Sequence, residues 1–290
     1  NAAKKLRVVG RAGVGTDNID IDAATEKGVV VMNVPDGNSI SAAEHTMAML
    51  SSLSRNIQIG HMTMMEGEWD RHKLVGNELR GKVLGIVGLG RIGREVMKRA
   101  LSYDMKIIGF DPYVNQEMFD KDTIRIEDLD TLTRSSDYIT VHVPLIDSTR
   151  DMFDASRLKK MKQTARIVNV ARGGIINESD LATALNNDII AGAAIDVFEN
   201  EPINKNNPLL SAKNILLTPH LGASTFEAKD GVSISICKQV AECIVNQKLS
   251  NALNLPIANI SELKKIQDYL NLSELMGKIH AQLTDAPITD

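Results

Sequence analysis

Between residues 81 and 219, short apolar runs alternate with helix-like stretches, and this alternation constrains the fold more than any other feature. The predicted strands are 82–88, 106–111, 138–144, 166–171, 190–197 and 215–219, with helices at 91–102, 126–135, 156–161 and 178–187 between them. Several strands are apolar throughout, which is typical of strands covered by helices on both faces. The alternation predicts right-handed βαβ units and an α/β fold with a doubly wound parallel sheet.

A glycine-rich turn follows the first of these strands. It consists of Gly88-Leu89-Gly90-Arg91-Ile92-Gly93, and Asp111 ends the next strand about 20 residues later, which is the fingerprint spacing of a dinucleotide-binding unit. The three glycines would permit the tight turn, admit a pyrophosphate and let the helix pack closely. Gly88, Gly90, Arg91, Ile92 and Gly93 are therefore predicted to line the phosphates. Asp111 would bind the adenosine ribose and repel a 2′-phosphate, which favours NAD over NADP.

Further polar clusters lie at or just beyond the ends of later strands. Open α/β sheets bind ligands at this edge. The clusters contain Arg172, Asp196, Glu201 and His220.

Taken in order, these segments resemble the D-2-hydroxyacid dehydrogenases. The similar segments are 11–18, 88–93, 169–174, 196–202 and 219–224, and the match extends over roughly residues 6–256. The resemblance implies two Rossmann-like domains with a catalytic cleft between them and a catalytic trio of Arg172, Glu201 and His220. It is strongest to members that oxidise 3-phospho-D-glycerate, so it implies a small phosphorylated 2-hydroxy acid as substrate.

The chemistry of the trio supports the same roles. Oxidation of a secondary alcohol needs a base for the hydroxyl proton while hydride passes to the nicotinamide, and His220 can take a proton near neutral pH. Glu201 would orient the imidazole and stabilise its protonated form. Arg172 can hold a substrate carboxylate with its planar fork.

The resemblance also implies lesser contacts, although His142 is equally well explained as a structural histidine. Asp196 corresponds to the residue that holds the nicotinamide carboxamide, and Arg11 is the candidate for the substrate phosphate. The cofactor side further includes His142, Val143, Pro144, Thr149, Ala171, Arg172, His220 and Gly222. The substrate side includes Arg11, Ala12, Gly13 and Asn38, together with Arg172 and His220.

The central nucleotide-binding domain is predicted to be inserted within the substrate-binding domain. We predict a substrate-binding domain at 1–75 and 222–257, an NAD-binding domain at 76–221, and a tail at 258–290 that begins a further domain. The chain starts on Asn1 and enters a strand-like run at Leu6, so the first domain is expected to be incomplete. One long helix is predicted over 41–64, capped by Ser39 or Ser41, and another over 226–246.

Composition excludes several classes of function. The net charge of -4 over 290 residues argues against nucleic acid as the main partner. The two cysteines, Cys237 and Cys243, match neither a metal site nor a redox pair and are expected to be free and buried. No apolar run is long enough to cross a bilayer, so no membrane partner and a cytoplasmic location are expected. The resemblance implies a homodimer or homotetramer.

Two other functions fit the same sequence. One is a glyoxylate or hydroxypyruvate reductase, and the other is a corepressor of this fold that senses NADH without turnover. Glu201 argues against a formate dehydrogenase, because those family members carry glutamine as the histidine's partner.

Overall fold

A computed structural model describes residues 3, 5–16, 18–246, 248–255 and 267–283. Asp17 and the tail residues 258–266 and 284–290 therefore lie outside the described residues. Contacts divide the chain into two compact units, one formed by residues 1–35 with 232–290 and the other by residues 36–231. We call them the outer unit and the central unit.

Regular elements are numbered in chain order. The strands are β1 (Val8–Gly10), β2 (Val30–Met32), β3 (Val83–Val87), β4 (Lys106–Phe110), β5 (Ile124–Ile126), β6 (Tyr138–Val141), β7 (Arg166–Asn169), β8 (Gly192–Ile195) and β9 (Ile215–Leu217). The helices are α1 (Ile21–Glu26), α2 (Ser39–Arg55), α3 (Ile57–Met65), α4 (Arg91–Leu101), α5 (Leu129–Ser135), α6 (Ala155–Leu158), α7 (Glu178–Asn186), α8 (Phe226–Asn246) and α9 (Gln267–Leu283).

The central unit is built on a seven-stranded parallel sheet. Its strand order is β5-β4-β3-β6-β7-β8-β9, and β3 pairs with β6 in the register Leu84↔Tyr138. The predicted doubly wound α/β fold is confirmed. From β3 the chain first adds β4 and β5 on one side of the sheet, and then adds β6 to β9 on the other side of β3. A crevice opens at the carboxyl ends of β3 and β6, where this change of direction occurs.

Each face of this sheet is covered by its own apolar core. One core contains Phe153, Leu158 and Ile167, and the other contains Leu50, Leu84 and Tyr138. Strand β6 is buried along its whole length. This burial on both faces is why the strands are apolar throughout instead of alternating.

The predicted single helix over 41–64 is wrong, because the chain breaks it at Asn56. Asn56 adopts a left-handed conformation with φ of 52° and its N–H bonds to the Ser52 carbonyl, which ends α2 and starts α3. Asparagine tolerates this conformation better than most residues. The capping prediction is also wrong, since Asn38 occupies the N-cap position of α2 and no side chain caps it.

A short edge strand was missed, and its last residue was predicted as the start of a helix. The prediction extended a helix over 126–135, whereas β5 covers Ile124–Ile126 and α5 begins only at Leu129. A three-residue strand is too short to show an alternating pattern. The helix start is fixed instead by Asp128, whose side chain accepts a hydrogen bond from the Thr131 N–H at 2.9 Å.

The two contact units divide the chain at 35/36 and 231/232, not at the predicted domain boundaries of 75/76 and 221/222. The first boundary differs because α2 packs on the central sheet. Its Met47, Leu50 and Leu53 share one core with Leu84 and Ala194. The division into a substrate-binding and an NAD-binding domain at the predicted boundaries stays a prediction.

The outer unit contains the parallel pair β1–β2, in the register Val8↔Val30. Its core joins Met32 and Val34 to Ile236 and Cys243 on α8. Cys243 is buried as expected, but Cys237 is exposed, which corrects the prediction of two buried thiols. The two cysteines are six residues apart, which does not return to the same helix face at 3.6 residues per turn.

Replacement of Phe153 by alanine tests the importance of the core of the central unit that contains Phe153. Phe153 is fully buried, so Phe153→Ala should lower the free energy of unfolding by about 3–5 kcal/mol. Urea denaturation followed by circular dichroism would measure the change. Phe226→Ala is the matched control, because Phe226 is 87% exposed and its loss should change stability by less than about 0.5 kcal/mol. Equal losses in the two variants would contradict the described packing.

Candidate active site

The glycine turn leaves open space where a phosphate is expected. A Cβ on Gly93 would overlap the Gly88 carbonyl oxygen, and Gly88 itself has φ of +94° and lies against the His142 carbonyl. In contrast, a Cβ on Gly90 would meet nothing within 4 Å. Gly90 is the N-cap of α4 and, being a glycine, has no side chain that could cap the helix. The first and third glycines are thus needed for packing, and the second borders free space at a helix N-terminus suited to an anion.

The side chains around the turn fix its shape. Asp111 accepts the Leu89 N–H at 2.9 Å through Oδ2 and the Tyr113 N–H at 2.9 Å through Oδ1. Arg91 forms an ion pair with Asp36, and both side chains are largely exposed. Ile92 packs against the core on the α2 side of the sheet. Asp111 therefore lies directly beside the glycine turn, and its binding of a ribose stays a prediction.

The loop after β6 borders the same crevice. His142 Nε2 lies 3.0 Å from the Thr140 hydroxyl, while Nδ1 is buried with no hydrogen-bond partner in the part of the chain described. Burial lowers the pKa of the His142 imidazole to about 3, which keeps it neutral. The Thr149 hydroxyl donates to the Pro144 carbonyl at 2.6 Å and accepts the Ile146 N–H. Val143 packs against the neighbouring core.

Glu201 and His220 are in direct contact. His220 Nδ1 lies 2.6 Å from Glu201 Oε2, and Glu201 Oε1 accepts the Phe198 N–H at 3.0 Å. Each carboxylate oxygen therefore has a defined partner. An ionised carboxylate can only accept, so Nδ1 carries the ring proton and Nε2 of the neutral imidazole is left with its lone pair.

Close backbone approaches join the loops that carry the trio. Arg172 follows β7, and its Nη1 donates to the Ala171 carbonyl at 2.7 Å. The next residue, Gly173, is packed so tightly that a Cβ there would overlap the Phe198 carbonyl in the loop leading to Glu201. A Cβ on Gly222 would lie 2.9 Å from Val170 Cγ1. The predicted trio is thus carried by three loops in mutual contact.

Asp196 lies at the centre of these loops and is fully buried. Its Oδ1 accepts bonds from Thr218 Oγ1 at 2.5 Å and from the Leu221 N–H at 2.7 Å, and its Oδ2 accepts the Gly222 N–H at 2.8 Å. Burial raises the pKa of Asp196, but hydrogen bonds led by that from His45 outweigh it, so the pKa lies below its usual value. Because donors within the chain already occupy both oxygens, the predicted bond to a nicotinamide carboxamide stays a prediction.

The predicted substrate-side residues fall in different units. Arg11, Ala12 and Gly13 lie in the outer unit, where the Gly13 N–H donates to the Arg11 carbonyl at 2.9 Å. Arg11 Nη1 donates to the Ala12 carbonyl, and Arg11 Nε is buried without a hydrogen-bond partner among the described residues. Asn38 lies in the central unit, and its Oδ1 is likewise buried and unpartnered there.

Sequence reasoning missed residues that shape these loops. Asn169 is buried, accepts the Ala171 N–H at 3.0 Å and donates to the Arg172 carbonyl at 2.8 Å. His45 on α2 contacts Asp196 and Thr218. A histidine on the buried face of a helix rich in alanine and methionine was the available signal for His45. Asn169 ends an apolar strand, which was the signal for a turn-forming side chain.

The described residues contain neither a metal-binding cluster nor a membrane-spanning helix. In the described part of the chain, there is no group of three or more His, Cys, Asp or Glu side chains that could hold a metal ion. None of the described helices combines the length and the apolar character needed to span a bilayer.

Curated relatives match almost the whole chain. The D-3-phosphoglycerate dehydrogenase of Methanocaldococcus jannaschii is 44% identical over 99% of this chain and 55% of its own length. The Bacillus subtilis protein of the same name is 43% identical over 100% of this chain and 55% of its own length. The chain thus spans about half the length of the curated relatives it matches.

A solved structure shows the same fold with a nucleotide bound. The NAD-dependent formate dehydrogenase of Staphylococcus aureus, in complex with NAD, superimposes with a TM-score of 0.79 and 31% identity. The match covers 86% of this chain and 75% of that one.

Asp111→Asn tests the role of the carboxylate beside the glycine turn. The amide keeps a hydrogen-bond acceptor but removes the charge that would repel a 2′-phosphate, so the ratio of NADP to NAD dissociation constants should fall by at least about tenfold. Isothermal titration calorimetry with both nucleotides measures the ratio. Asp122→Asn, an exposed change outside the turn, should leave it unaltered. An unchanged ratio in Asp111→Asn would remove Asp111 from nucleotide selection.

The central unit also matches a family model. The model of the D-isomer specific 2-hydroxyacid dehydrogenase NAD binding domain matches residues 47–222, more than half of the chain. This match confirms the predicted cofactor, NAD, and the family expected from the sequence. The chain belongs to the D-isomer specific 2-hydroxyacid dehydrogenase family.

Proposed function

We propose that the protein oxidises 3-phospho-D-glycerate to 3-phosphohydroxypyruvate with NAD, the first step of L-serine biosynthesis. The observation that carries this proposal is the 2.6 Å pair of His220 and Glu201 on the sheet edge that also bears the glycine turn. Relatives named D-3-phosphoglycerate dehydrogenase, 41–44% identical to this chain, support the choice of substrate.

His220 is the proposed general acid and base. With its proton on Nδ1 facing Glu201, the ring offers the Nε2 lone pair to the substrate hydroxyl. In the oxidation, Nε2 takes the hydroxyl proton, and the resulting imidazolium is stabilised by the Glu201 carboxylate. In the reverse direction, the same nitrogen returns the proton to the alkoxide oxygen.

Arg172 is the proposed anchor for the substrate carboxylate. One terminal nitrogen, Nη1, donates to the carbonyl of Ala171, which helps fix where the guanidinium lies. A planar guanidinium can hold a carboxylate through two parallel hydrogen bonds, which a lysine cannot do. Arg172 would also polarise the carbonyl during reduction.

The open space at Gly90 and the carboxylate of Asp111 fit a bound dinucleotide. Gly88, Gly90, Arg91, Ile92 and Gly93 would hold its pyrophosphate, and Asp111 its ribose. The remaining proposed contacts are those of His142, Val143, Pro144, Thr149, Ala171, Asp196 and Gly222. When bound, NAD supplies the carbon atom that accepts hydride.

Arg11 is the proposed ligand of the substrate phosphate, and Ala12, Gly13 and Asn38 are the other proposed substrate contacts. Support comes from the buried, unpartnered Nε of Arg11 and Oδ1 of Asn38, because buried polar atoms generally have partners. The amide of Gly13 already bonds within its loop, so the side chain of Arg11 is the stronger candidate. The predicted cytoplasmic location stays a prediction.

A substrate panel tests the reaction. NADH absorbance would be followed with 3-phospho-D-glycerate, D-glycerate and D-lactate, and in reverse with phosphorylated and unphosphorylated hydroxypyruvate and glyoxylate. We expect the phosphorylated pair to give the highest kcat/KM. Faster turnover of the unphosphorylated compounds would favour a reductase of glyoxylate or hydroxypyruvate. NADH binding without turnover of any compound would favour a sensor.

His220→Ala tests the proposed base. Loss of a general base typically costs about 10²–10⁴ in turnover, whereas NAD binding should persist because the glycine turn is untouched. The measurements are kcat and the dissociation constant for NAD. His280→Ala, on α9 in the outer unit, is the matched control and should retain turnover. Near-normal turnover in His220→Ala would show that another group accepts the proton.

We also propose that the protein is a homo-oligomer, either a homodimer or a homotetramer. One group of exposed apolar side chains lies on α3 and the segment after it. They are Ile57, Met62, Met64, Met65, Trp69 and Val75. Concentrated exposed apolar surface is typical of an interface with another protein, and symmetric pairing of identical chains is its commonest use.

Trp69→Lys tests this interface. Trp69 is 78% exposed, so the change should spare folding but introduce a charge into the proposed contact and yield a monomer. Size-exclusion chromatography with light scattering measures the mass. Phe226→Lys, at an equally exposed aromatic residue elsewhere, should keep the assembly. A monomeric parent protein, or an unchanged mass in Trp69→Lys, would contradict the proposal.

A further inference from the structure

We propose that His45, on helix α2, is a positioning residue that holds Asp196 and thereby the turn that presents His220. This inference rests on the proposed function of His220. It concerns a residue outside the trio and the glycine turn, and it acts through hydrogen bonds in the central unit alone.

The turn that carries His220 is tied almost entirely to one residue. The N–H groups of His220, Leu221 and Gly222 donate respectively to the Asp196 carbonyl at 2.8 Å, to its Oδ1 at 2.7 Å and to its Oδ2 at 2.8 Å. Three consecutive amides thus share one acceptor residue. Any displacement of the Asp196 carboxylate would therefore be transmitted to the backbone that directly follows His220.

His220 needs this support because its backbone is unfavourable. Its φ is 55°, in the left-handed region, which non-glycine residues adopt uncommonly even though asparagine, aspartate and histidine are enriched there. Such conformations persist only where the surrounding structure enforces them. The hydrogen bonds from the turn to Asp196 are the interactions that enforce this one.

His45 is a donor to the carboxylate oxygen at the centre of this arrangement. Its Nε2 lies 3.2 Å from Asp196 Oδ1 and 3.2 Å from Thr218 Oγ1. The Thr218 hydroxyl proton is directed to Asp196, at 2.5 Å, so the hydroxyl oxygen is an acceptor towards His45. Both neighbours of Nε2 are therefore acceptors, and Nε2 must carry a proton.

The buried charge explains why this donor matters. Asp196 is fully buried, and an ionised carboxylate is stable there only when donors surround it. Its side chain has four such donors, the two backbone amides of the turn together with Thr218 and His45. Without His45, the carboxylate would shift towards its remaining donors or take up a proton, and either change alters the acceptor on which the turn depends.

Two substitutions separate the hydrogen bond from the shape of the side chain. His45→Leu removes the donor and puts an apolar side chain of similar size in its place. His45→Gln places an amide N–H at a similar reach and restores the donor.

Thr218→Val removes the neighbouring hydroxyl. In the double variant with His45→Leu, the loss of kcat should be smaller than the product of the two single losses, because both side chains act on Asp196 Oδ1.

Steady-state kinetics provide the first measurement. We expect His45→Leu to lower kcat by about tenfold, with a smaller change in KM for NAD, because His45 contacts neither the glycine turn nor Asp111 and only Asp196 and Gly222 among the proposed NAD contacts would be displaced. His45→Gln should recover most of kcat. Wild-type kcat in His45→Leu, or equal losses in the leucine and glutamine variants, would overturn the positioning role.

Amide hydrogen exchange of Leu221 and Gly222 provides a second measurement that needs no turnover. Their exchange should be faster in His45→Leu than in the parent protein and normal in His45→Gln. Unchanged exchange in His45→Leu would overturn the inference. Absence of turnover in the parent protein would instead overturn the proposed reaction, while the exchange rates would still decide the role of His45.

Discussion

The buried carboxylate of Asp196 is the interaction on which the candidate active site depends. It lies at the end of β8, between the loops that carry Glu201 and His220, and its backbone and side chain accept three consecutive amides of the 220–222 turn. A neutral side chain of the same shape could not draw these donors so strongly, because charge-assisted hydrogen bonds are about twice as strong as neutral ones. The imidazole of His220 is therefore directed by the backbone as well as by Glu201.

The parallel sheet brings distant parts of the chain to this point. Every strand from β3 to β9 runs in the same direction, so the residues that follow their carboxyl ends share one edge. The glycine turn follows β3, Arg172 follows β7, and His220 follows β9. Gly173 and Gly222 then allow the last loops to approach more closely than side chains would permit. The glycine turn, Arg172 and His220 therefore follow one another along this edge of the sheet in the same order as along the chain.

Much of this arrangement could be predicted from local sequence. Largely apolar runs of five to eight residues identified most strands of the central sheet because both of their faces are buried. The glycine spacing and Asp111 indicated the candidate nucleotide site, since Gly88 and Gly93 are required by close packing, Gly90 leaves space open and Asp111 contributes a charge. Arg172, Glu201 and His220 could be selected because their chemical types are rare in combination at strand ends.

Other features depend on contacts that local sequence does not record. The break at Asn56 arises from one residue in a left-handed conformation within a helical pattern. The assignment of α2 to the central unit depends on packing against strands more than 100 residues away. The contact of His45 with Asp196 joins residues 151 positions apart, so only the folded chain reveals it. Asp196 was selected for a ligand contact, which stays a prediction, and its bonds to Thr218 and to the 220–222 turn were not foreseen.

The position of the ring proton on His220 is the feature of the proposed mechanism that can be measured most directly. Nitrogen-15 NMR of imidazole-labelled protein, with the His220 resonances identified by their loss in His220→Ala, distinguishes the two neutral tautomers. With Nδ1 facing Glu201 at 2.6 Å, the neutral ring should carry its proton on Nδ1 and a lone pair on Nε2. A neutral ring protonated on Nε2 would leave no base facing the substrate and would contradict the proposed role of His220.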